Sequence, residues 1–159
     1  MSFPRYPEYK ETGIEWLGQI PAHWEVVPVR HCFQVVGGST PSSGESQFWD
    51  GEVPWATPTD LGNSTALEIC ETKRRITQEG LESCATTLVP EGSIILSTRA
   101  PIGSVGIAGV PLCTNQGCKS LIARVHIEPR FFARMLEVNT AALTLRGRGT
   151  TFLELSADE

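Results

Sequence analysis

The segment Ser93-Ile-Ile-Leu-Ser-Thr-Arg-Ala-Pro-Ile-Gly-Ser-Val-Gly-Ile-Ala108 predicts the centre of a β-sheet. Its two apolar runs, 93–97 and 105–108, have the length and β-branched content of strands and are separated by a Pro/Gly turn. A third run of this kind, Lys119-Ser-Leu-Ile-Ala-Arg-Val125, follows a further turn. The sequence therefore predicts a sheet of short strands in the second half of the chain.

One amphipathic helix is predicted after these strands, from Pro129 to about Leu143. Proline suits the first helical position because the N–H that it lacks would have no intrahelical partner there. Apolar residues then recur at helical spacing, namely Phe131, Phe132, Met135, Leu136 and Leu143. The other predicted elements are strands at 25–30, 32–36 and 53–57 and a short helix at 77–83 with Thr77 as its N-cap. Pro28 confines the first of these strands to a sheet edge or argues against it. Many short strands with one late amphipathic helix indicate an α+β fold with a short-stranded, strongly bent sheet.

Length and composition limit the chain to one globular domain. Its 159 residues are enough for one domain and too few for two of ordinary size, and its 40% hydrophobic content is too high for disorder. No apolar run approaches the roughly 20 residues that span a bilayer, and the first residues lack the apolar core of a signal peptide. The five irregularly spaced cysteines do not resemble a disulfide framework. We therefore expect a cytoplasmic protein with no membrane partner.

The formal net charge of −5 is unevenly distributed along the chain. Residues 1–60 contain three basic and eight acidic side chains, whereas residues 97–148 contain seven basic and two acidic ones. A basic segment within an acidic chain indicates a local nucleic-acid surface, although scattered and solvated side chains would give the same count. Charge alone leaves both interpretations open.

Four common enzyme signatures are missing from the sequence. It has no phosphate-binding P-loop, no dinucleotide fingerprint, no G-x-S-x-G turn and no H-E-x-x-H pair. Its three histidines are scattered, and only Cys113 and Cys118 have a spacing that zinc knuckles use. We therefore expect no catalytic residue, no metal and no cofactor in this chain.

One alternative is a divalent-metal-dependent nuclease. Asp60 in Pro58-Thr-Asp60, followed by Glu71 and Lys73 in Glu71-Thr-Lys73, has the order of two metal-binding carboxylates and a phosphate-stabilising lysine. That chemistry needs Glu71 and Lys73 on one strand. The segment from Glu68 to Arg75 instead has the composition of an exposed charged stretch.

Several short segments of the sequence indicate a function more specifically than composition, charge or single motifs do. Tyr9-Lys-Glu-Thr-Gly-Ile-Glu-Trp-Leu-Gly-Gln-Ile-Pro-Ala-His-Trp-Glu-Val26 resembles the opening of the specificity subunit of type I restriction–modification systems. The resemblance continues in order through the segments 36–42, 48–61, 76–81, 88–93, 97–103 and 114–119. These include the loop Gly38-Ser-Thr-Pro41 and the block Thr114-Asn-Gln-Gly-Cys-Lys119.

The resemblance implies a target recognition domain, a mixed α/β module that reads one half of a split double-stranded DNA site. Methyltransferase subunits and, indirectly, a motor–nuclease subunit would be its partners, and they would hold S-adenosylmethionine and the chemistry. It also implies a docking arm at 1–24, a recognition domain at 25–150 and the start of a spacer helix at 151–159. The chain ends at Glu159, where that helix should continue, so we expect a fragment of a longer subunit.

Side chains suited to DNA readout occur in the loops of this domain. Arg, Asn and Gln match base edges, and hydroxyls, Lys and Arg contact phosphates. The candidate DNA contacts are Thr40, Ser42, Ser43, Thr57, Thr59, Arg99, Asn115, Gln116, Lys119, Arg146 and Arg148. An alternative role for the Ser, Thr and Asn side chains among them is to cap turns. A further alternative for the whole chain is a protein-interaction scaffold that does not bind DNA. The tryptophans Trp16, Trp24, Trp49 and Trp55 are predicted to be core residues rather than base-stacking platforms.

Overall fold

Residues 5–63, 66–99 and 101–146 are described by a computed structural model of the chain. The strands are β1 (Tyr9–Glu11), β2 (Gln19–Pro21), β3 (Phe33–Gly37), β4 (Trp49–Ala56), β5 (Glu68–Ile69), β6 (Arg74–Ile76), β7 (Ile94–Ser97), β8 (Val105–Ala108), β9 (Cys113–Thr114) and β10 (Cys118–Ala123). The helices are α1 (Val29–Cys32), α2 (Pro58–Asn63), α3 (Gln78–Glu82), α4 (Pro129–Val138) and α5 (Thr140–Arg146). None of the helices in these ranges has the length and apolar character needed to cross a membrane. The α+β class is confirmed.

The central sheet has five strands in the order β3-β10-β7-β8-β5. The three predicted strands β7, β8 and β10 form its middle and pair antiparallel, while β5 joins β8 in parallel. Ile94 and Leu96 pack into one hydrophobic cluster and Ile95 into another, so both faces of β7 are covered. Burial on both faces explains why this strand is a continuous apolar run rather than an alternating one.

Helix α4 covers one face of the central sheet. It begins at Pro129, as predicted, and the preceding Glu128 accepts a hydrogen bond from the amide of Arg130 (3.1 Å). Phe132 packs edge-to-face on Phe33 of β3 with ring centroids 5.4 Å apart. The single predicted helix is divided at Asn139, whose φ of −100° and ψ of 14° separate α4 from α5.

A second sheet contains three strands in the order β6-β4-β9. Trp49 and Trp55 of β4 are 7% and 4% exposed and meet edge-to-face at 5.2 Å, which confirms the prediction that they are core residues. The prediction is wrong for Trp16, which is 45% exposed. Trp16 lies in the turn between β1 and β2, outside the three hydrophobic clusters.

The predicted strand at 25–30 is absent. Pro28 instead precedes helix α1, with a φ of −58° and ψ of 142°. Because proline has no N–H, it cannot contribute to a ladder but is well placed just before a helix. The chain before it forms the β1–β2 hairpin, and Trp24 packs edge-to-face on Phe131 of α4 (5.4 Å). The N-terminal segment therefore packs across the helical layer.

Two thiols are buried in this core. Burial raises the pKa of Cys113 and of Cys118 from 9.0 to about 12, and the negative charge of Asp60 adds to the shift at Cys118. Since a raised folded-state pKa stabilises the fold only while the thiol is protonated, this stabilisation is complete below about pH 9 and is lost as the pH rises toward 12.

We therefore expect the cysteines to react with iodoacetamide at very different rates. At pH 8 only on the order of one buried thiol in ten thousand is ionised, and the thiolate is the reactive form. Cys70 is exposed, so it should be alkylated first, whereas Cys113 and Cys118 should react only in denaturant. Timed alkylation followed by peptide mass spectrometry measures this order. Labelling of Cys118 at the rate of Cys70 in the native protein would contradict the burial.

Candidate nucleic-acid interface

Four segments meet beside the start of β10, and we call this place the loop junction: residues 38–43, 56–60, 98–99 and 114–119. Its centre is the turn 114–117, which connects β9 of one sheet to β10 of the other. Three backbone N–H···O=C bonds join the other segments to this turn, namely Ser39 to Thr114 (3.0 Å), Asn115 to Ala56 (3.0 Å) and Thr98 to Gly117 (2.8 Å). The junction is therefore held by main-chain contacts between segments far apart in sequence.

Two glycines allow this close approach. A Cβ atom at Gly38 would lie 2.1 Å from the carbonyl oxygen of Asn115, and one at Gly117 would lie 2.9 Å from Cγ of Pro58. At these positions a side chain of any size would push the neighbouring segment away. The turn and the loop 38–43 therefore pack with their backbones in contact.

The two buried tryptophans of β4 also hold the loop 38–43 through hydrogen bonds to its backbone. The indole N–H of Trp55 donates to the carbonyl of Ser39 (3.0 Å), and that of Trp49 donates to the carbonyl of Ser42 (3.1 Å). The side chains of Ser42 and Ser43 are consequently exposed on the outer side of this loop. A rigid base under an exposed polar loop is what a readout surface needs.

Several candidate residues are brought together at the junction. The Thr40 hydroxyl is hydrogen-bonded to the side-chain amide oxygen of Gln116, and both residues are exposed. Since that bond uses the amide oxygen, the NH₂ group of Gln116 keeps its donors for an outside acceptor. The ammonium of Lys119 lies over Gly37, 3.6 Å from where a Cβ would be. Thr59, on α2, and Arg99, which follows Thr98, border this group.

Two other candidates make local contacts. The amide and hydroxyl of Thr57 both donate to Oδ2 of Asp60 (2.8 and 2.6 Å), so the Asp60 carboxylate satisfies the residue that precedes α2. Asn115 Oδ1 accepts from the amide of Gly117 (2.9 Å) and thereby shapes the turn. Thr57 and Asn115 thus have the capping role that such residues often have, within the junction itself.

The nuclease alternative finds no support in this geometry. The Asp60 carboxylate already accepts the two Thr57 bonds and, at Oδ1, a third from the amide of Lys73 (2.8 Å). Glu71 and Lys73 lie in the loop before β6, not on a strand. Across residues 5–63, 66–99 and 101–146, no group of three His, Cys, Asp or Glu side chains is close enough to hold a metal.

The last two candidates are Arg146, at the end of α5, and Arg148. Arg146 ends α5, which contacts the turn between β7 and β8 through Thr140 and Gly103, and no described contact joins α5 to the loop junction. Arg148 and the predicted spacer start at 151–159 lie outside the described residues.

One segment beside the loop junction was not among the candidate DNA contacts. The sequence indicated only that it is charged and exposed to solvent. Two hydrogen bonds hold residues 72–73, one to the junction itself and one to the end of β4 beside it. The Thr72 hydroxyl accepts from the amide of Trp55 (3.1 Å), and the amide of Lys73 donates to Asp60. The only sequence signal was the basic run Lys73-Arg74-Arg75 itself.

Comparison with known proteins places this arrangement in a family. The family described as type I restriction modification DNA specificity domain matches residues 21–159. The chain belongs to this family. It is 38% identical over 150 residues to the MjaIX type I restriction enzyme specificity subunit of Methanocaldococcus jannaschii, covering 93% of this chain and 34% of that protein. It is 29% identical over 135 residues to the EcoR124I/EcoR124II specificity subunit of Escherichia coli, covering 80% and 30%.

Solved structures show the same fold for this specificity domain. The HsdS subunit of Thermoanaerobacter tengcongensis superposes with a TM-score of 0.65 at 19% identity, over 92% of this chain and 35% of that one. A structure of a type I R-M system, described for its complex assembly and conformational transition, gives a TM-score of 0.66 at 20% identity, over 93% and 34%. The chain thus spans about a third of the relatives it matches. These results confirm the resemblance on which the sequence interpretation depended.

Proposed function

We propose that this domain recognises one half of a split double-stranded DNA target for a type I restriction–modification enzyme. The observation that carries the proposal is the match of residues 21–159 to the specificity family. The loop junction supports it, because it presents exposed hydroxyl, amide and ammonium groups on a rigid main-chain base. Bidentate amide and guanidinium groups discriminate base edges, and hydroxyls and ammonium groups hold phosphates.

In this proposal the junction provides the readout. Gln116 is positioned by Thr40 and offers two N–H donors to a base edge. Lys119 and Arg99 supply positive charge beside it, and Thr57, Thr59, Ser42, Ser43 and Asn115 belong to the loops that surround the bases. Arg146 and Arg148 would hold phosphates from the end of α5 and the segment after it. Double-stranded DNA is thus the first partner.

Methyltransferase subunits would be the second partners, with a motor–nuclease subunit recruited through them. The specificity names of the relatives support a recognition role for this chain, in which those subunits do the chemistry and this domain contributes no catalytic residue. The N-terminal segment that contains the β1–β2 hairpin is the proposed docking arm, and Trp24, three residues after β2, packs on Phe131 of α4. We place the assembly in the cytoplasm, where its DNA target would be reached.

Replacing Gln116 with alanine tests the readout. Removing the amide should lower affinity for the preferred duplex by about tenfold, because one good base contact contributes about 1–3 kcal/mol of discrimination. Binding to a scrambled duplex should hardly change, so the preference itself should fall. The measurement is fluorescence anisotropy with the subunit assembled with its methyltransferase partners, using a duplex that the unmodified complex enriches from a random-sequence library.

Gln34→Ala is the matched control, since Gln34 is an exposed glutamine on β3, outside the junction. It should leave the sequence preference unchanged. If the unmodified complex enriches no sequence from the library, the proposed function is wrong. If it enriches one and Gln116→Ala retains the full preference, Gln116 is not a reader.

A further inference from the structure

The basic segment Lys73-Arg74-Arg75, at the start of β6, has an unusual charge environment. Among the described residues, Arg75 pairs with Glu52 (3.8 Å), Arg134 pairs with Glu137 (2.7 Å), and Arg130 pairs with Glu68. Lys73 and Arg74 are both exposed, and neither forms an ion pair with any described carboxylate. Two adjacent cations therefore keep their charge for an outside anion.

Arg74 is held in place by the tryptophans that support the junction loop. Its guanidinium lies 3.5 Å from the ring centroid of Trp49 and 5.7 Å from that of Trp55. Stacking occupies one face of the guanidinium plane and leaves its N–H groups at the edge to donate. The same two rings hold the carbonyls of Ser39 and Ser42, so Arg74 and the loop 38–43 share one platform.

The backbone of Lys73 is held at the α2 side of the loop junction. Its amide donates to Asp60, whose second oxygen caps α2 at Thr57. That bond places the backbone of Lys73 next to the start of α2, where the candidate DNA contacts Thr57 and Thr59 lie. The side chain of Lys73 is exposed to solvent. The Asp60 carboxylate accepts from Thr57 and from the backbone amide of Lys73, and it forms no ion pair with the Lys73 ammonium.

We propose that Lys73 and Arg74 are phosphate contacts that flank the base-reading junction on its β6 side. This inference depends on the proposed function and gives it a second element: a charge-based, sequence-independent contact next to the sequence-reading loop. Fixed cations beside a readout surface set the register of a protein on the duplex without carrying sequence information. The guanidinium matches phosphate geometry, and the ammonium provides a point charge.

The experiment is a salt titration of DNA binding by the assembled complex carrying Lys73→Gln, Arg74→Gln or both. Each lost phosphate contact should reduce the slope of log affinity against log salt by about one. Lys73→Gln should weaken binding about tenfold at 0.1 M salt, and equally for the enriched duplex and the scrambled one. Arg74→Gln should add a similar reduction in slope.

Two controls keep the outcome interpretable. Arg134→Gln removes one positive charge from α4, where the arginine is ion-paired, and should leave the slope unchanged. Arg74→Lys keeps the charge if loss of the stack disturbs the tryptophans, and thermal unfolding of each variant shows whether the fold is intact. If the slope of log affinity against log salt is unchanged for Lys73→Gln and for a folded Arg74→Gln variant, the inference is overturned. The proposed function still stands in that case if the unmodified complex binds DNA with sequence specificity. A loss for one duplex only would also overturn the inference, since that is base readout.

Discussion

Replacing Gly38 with alanine should destabilise this domain by about 3 kcal/mol, a large part of a total on the order of 10 kcal/mol. The added Cβ would lie 2.1 Å from the carbonyl oxygen of Asn115 and 2.4 Å from that of Thr114. Both atoms belong to the backbone of the central turn, so no side-chain rotation relieves the contact. Either the loop or the turn must move, and the bond from the Ser39 amide to the Thr114 carbonyl would be lost.

The measurement is equilibrium unfolding in urea, followed by tryptophan fluorescence, because Trp49 and Trp55 report on this region. Gly44→Ala is the matched control, since it lies in the same loop region and a Cβ there has nothing within 4 Å. It should change stability by less than about 0.5 kcal/mol. Equal stabilities for the two variants would show that the junction does not depend on the close approach at Gly38.

Removing two cations of the junction together, Arg99→Ala with Lys119→Ala, should reduce DNA affinity about 100-fold at 0.1 M salt. Each phosphate contact contributes about 0.9 to the slope of log affinity against log salt, which corresponds to nearly tenfold at this concentration. If either side chain also reads a base, the loss will be larger for the enriched duplex than for the scrambled one. The measurement is anisotropy titration of the assembled complex at several salt concentrations.

The matched control is Arg130→Ala with Arg134→Ala, which removes two positive charges from ion pairs on α4. It keeps the net charge equal to that of the junction variant, so any difference reports position rather than overall charge. Affinities that agree between the two double variants would exclude Arg99 and Lys119 from the interface. Unfolding curves for both variants separate lost contacts from lost structure.

Local patterns in the sequence were sufficient for much of the fold. The apolar run of β7 and the proline at the start of α4 each specify their element through nearest neighbours, and both predictions are confirmed. Thr77 caps α3 as predicted, since its hydroxyl accepts the amide of Gly80 (3.0 Å). The strand predicted at 25–30 fails for a local reason that was also visible, because Pro28 cannot join a ladder.

The candidate site was predictable as an inventory of residues but not as an arrangement. Thr40 and Gln116 are separated by 76 positions and are hydrogen-bonded, and nothing in the spacing of either loop indicates that contact. Lys73 belonged to an exposed charged stretch in the sequence, yet its amide is bonded to Asp60, 13 positions earlier. Such pairings depend on how β4, β6 and β10 are ordered in the two sheets, which is a property of the whole chain.

The amino-acid sequence alone was enough to predict the α+β class, the central strands, the late helical region and the specificity family. These features are predictable because hydrophobic periodicity, turn residues and the segments that resemble the family each lie within short stretches of sequence. The folded chain shows in addition which loops meet, that Trp16 is exposed while Trp49 and Trp55 support the junction, and that Arg74 stacks on them. Those outcomes depend on long-range backbone contacts and on burial, which arise only when distant segments pack against one another.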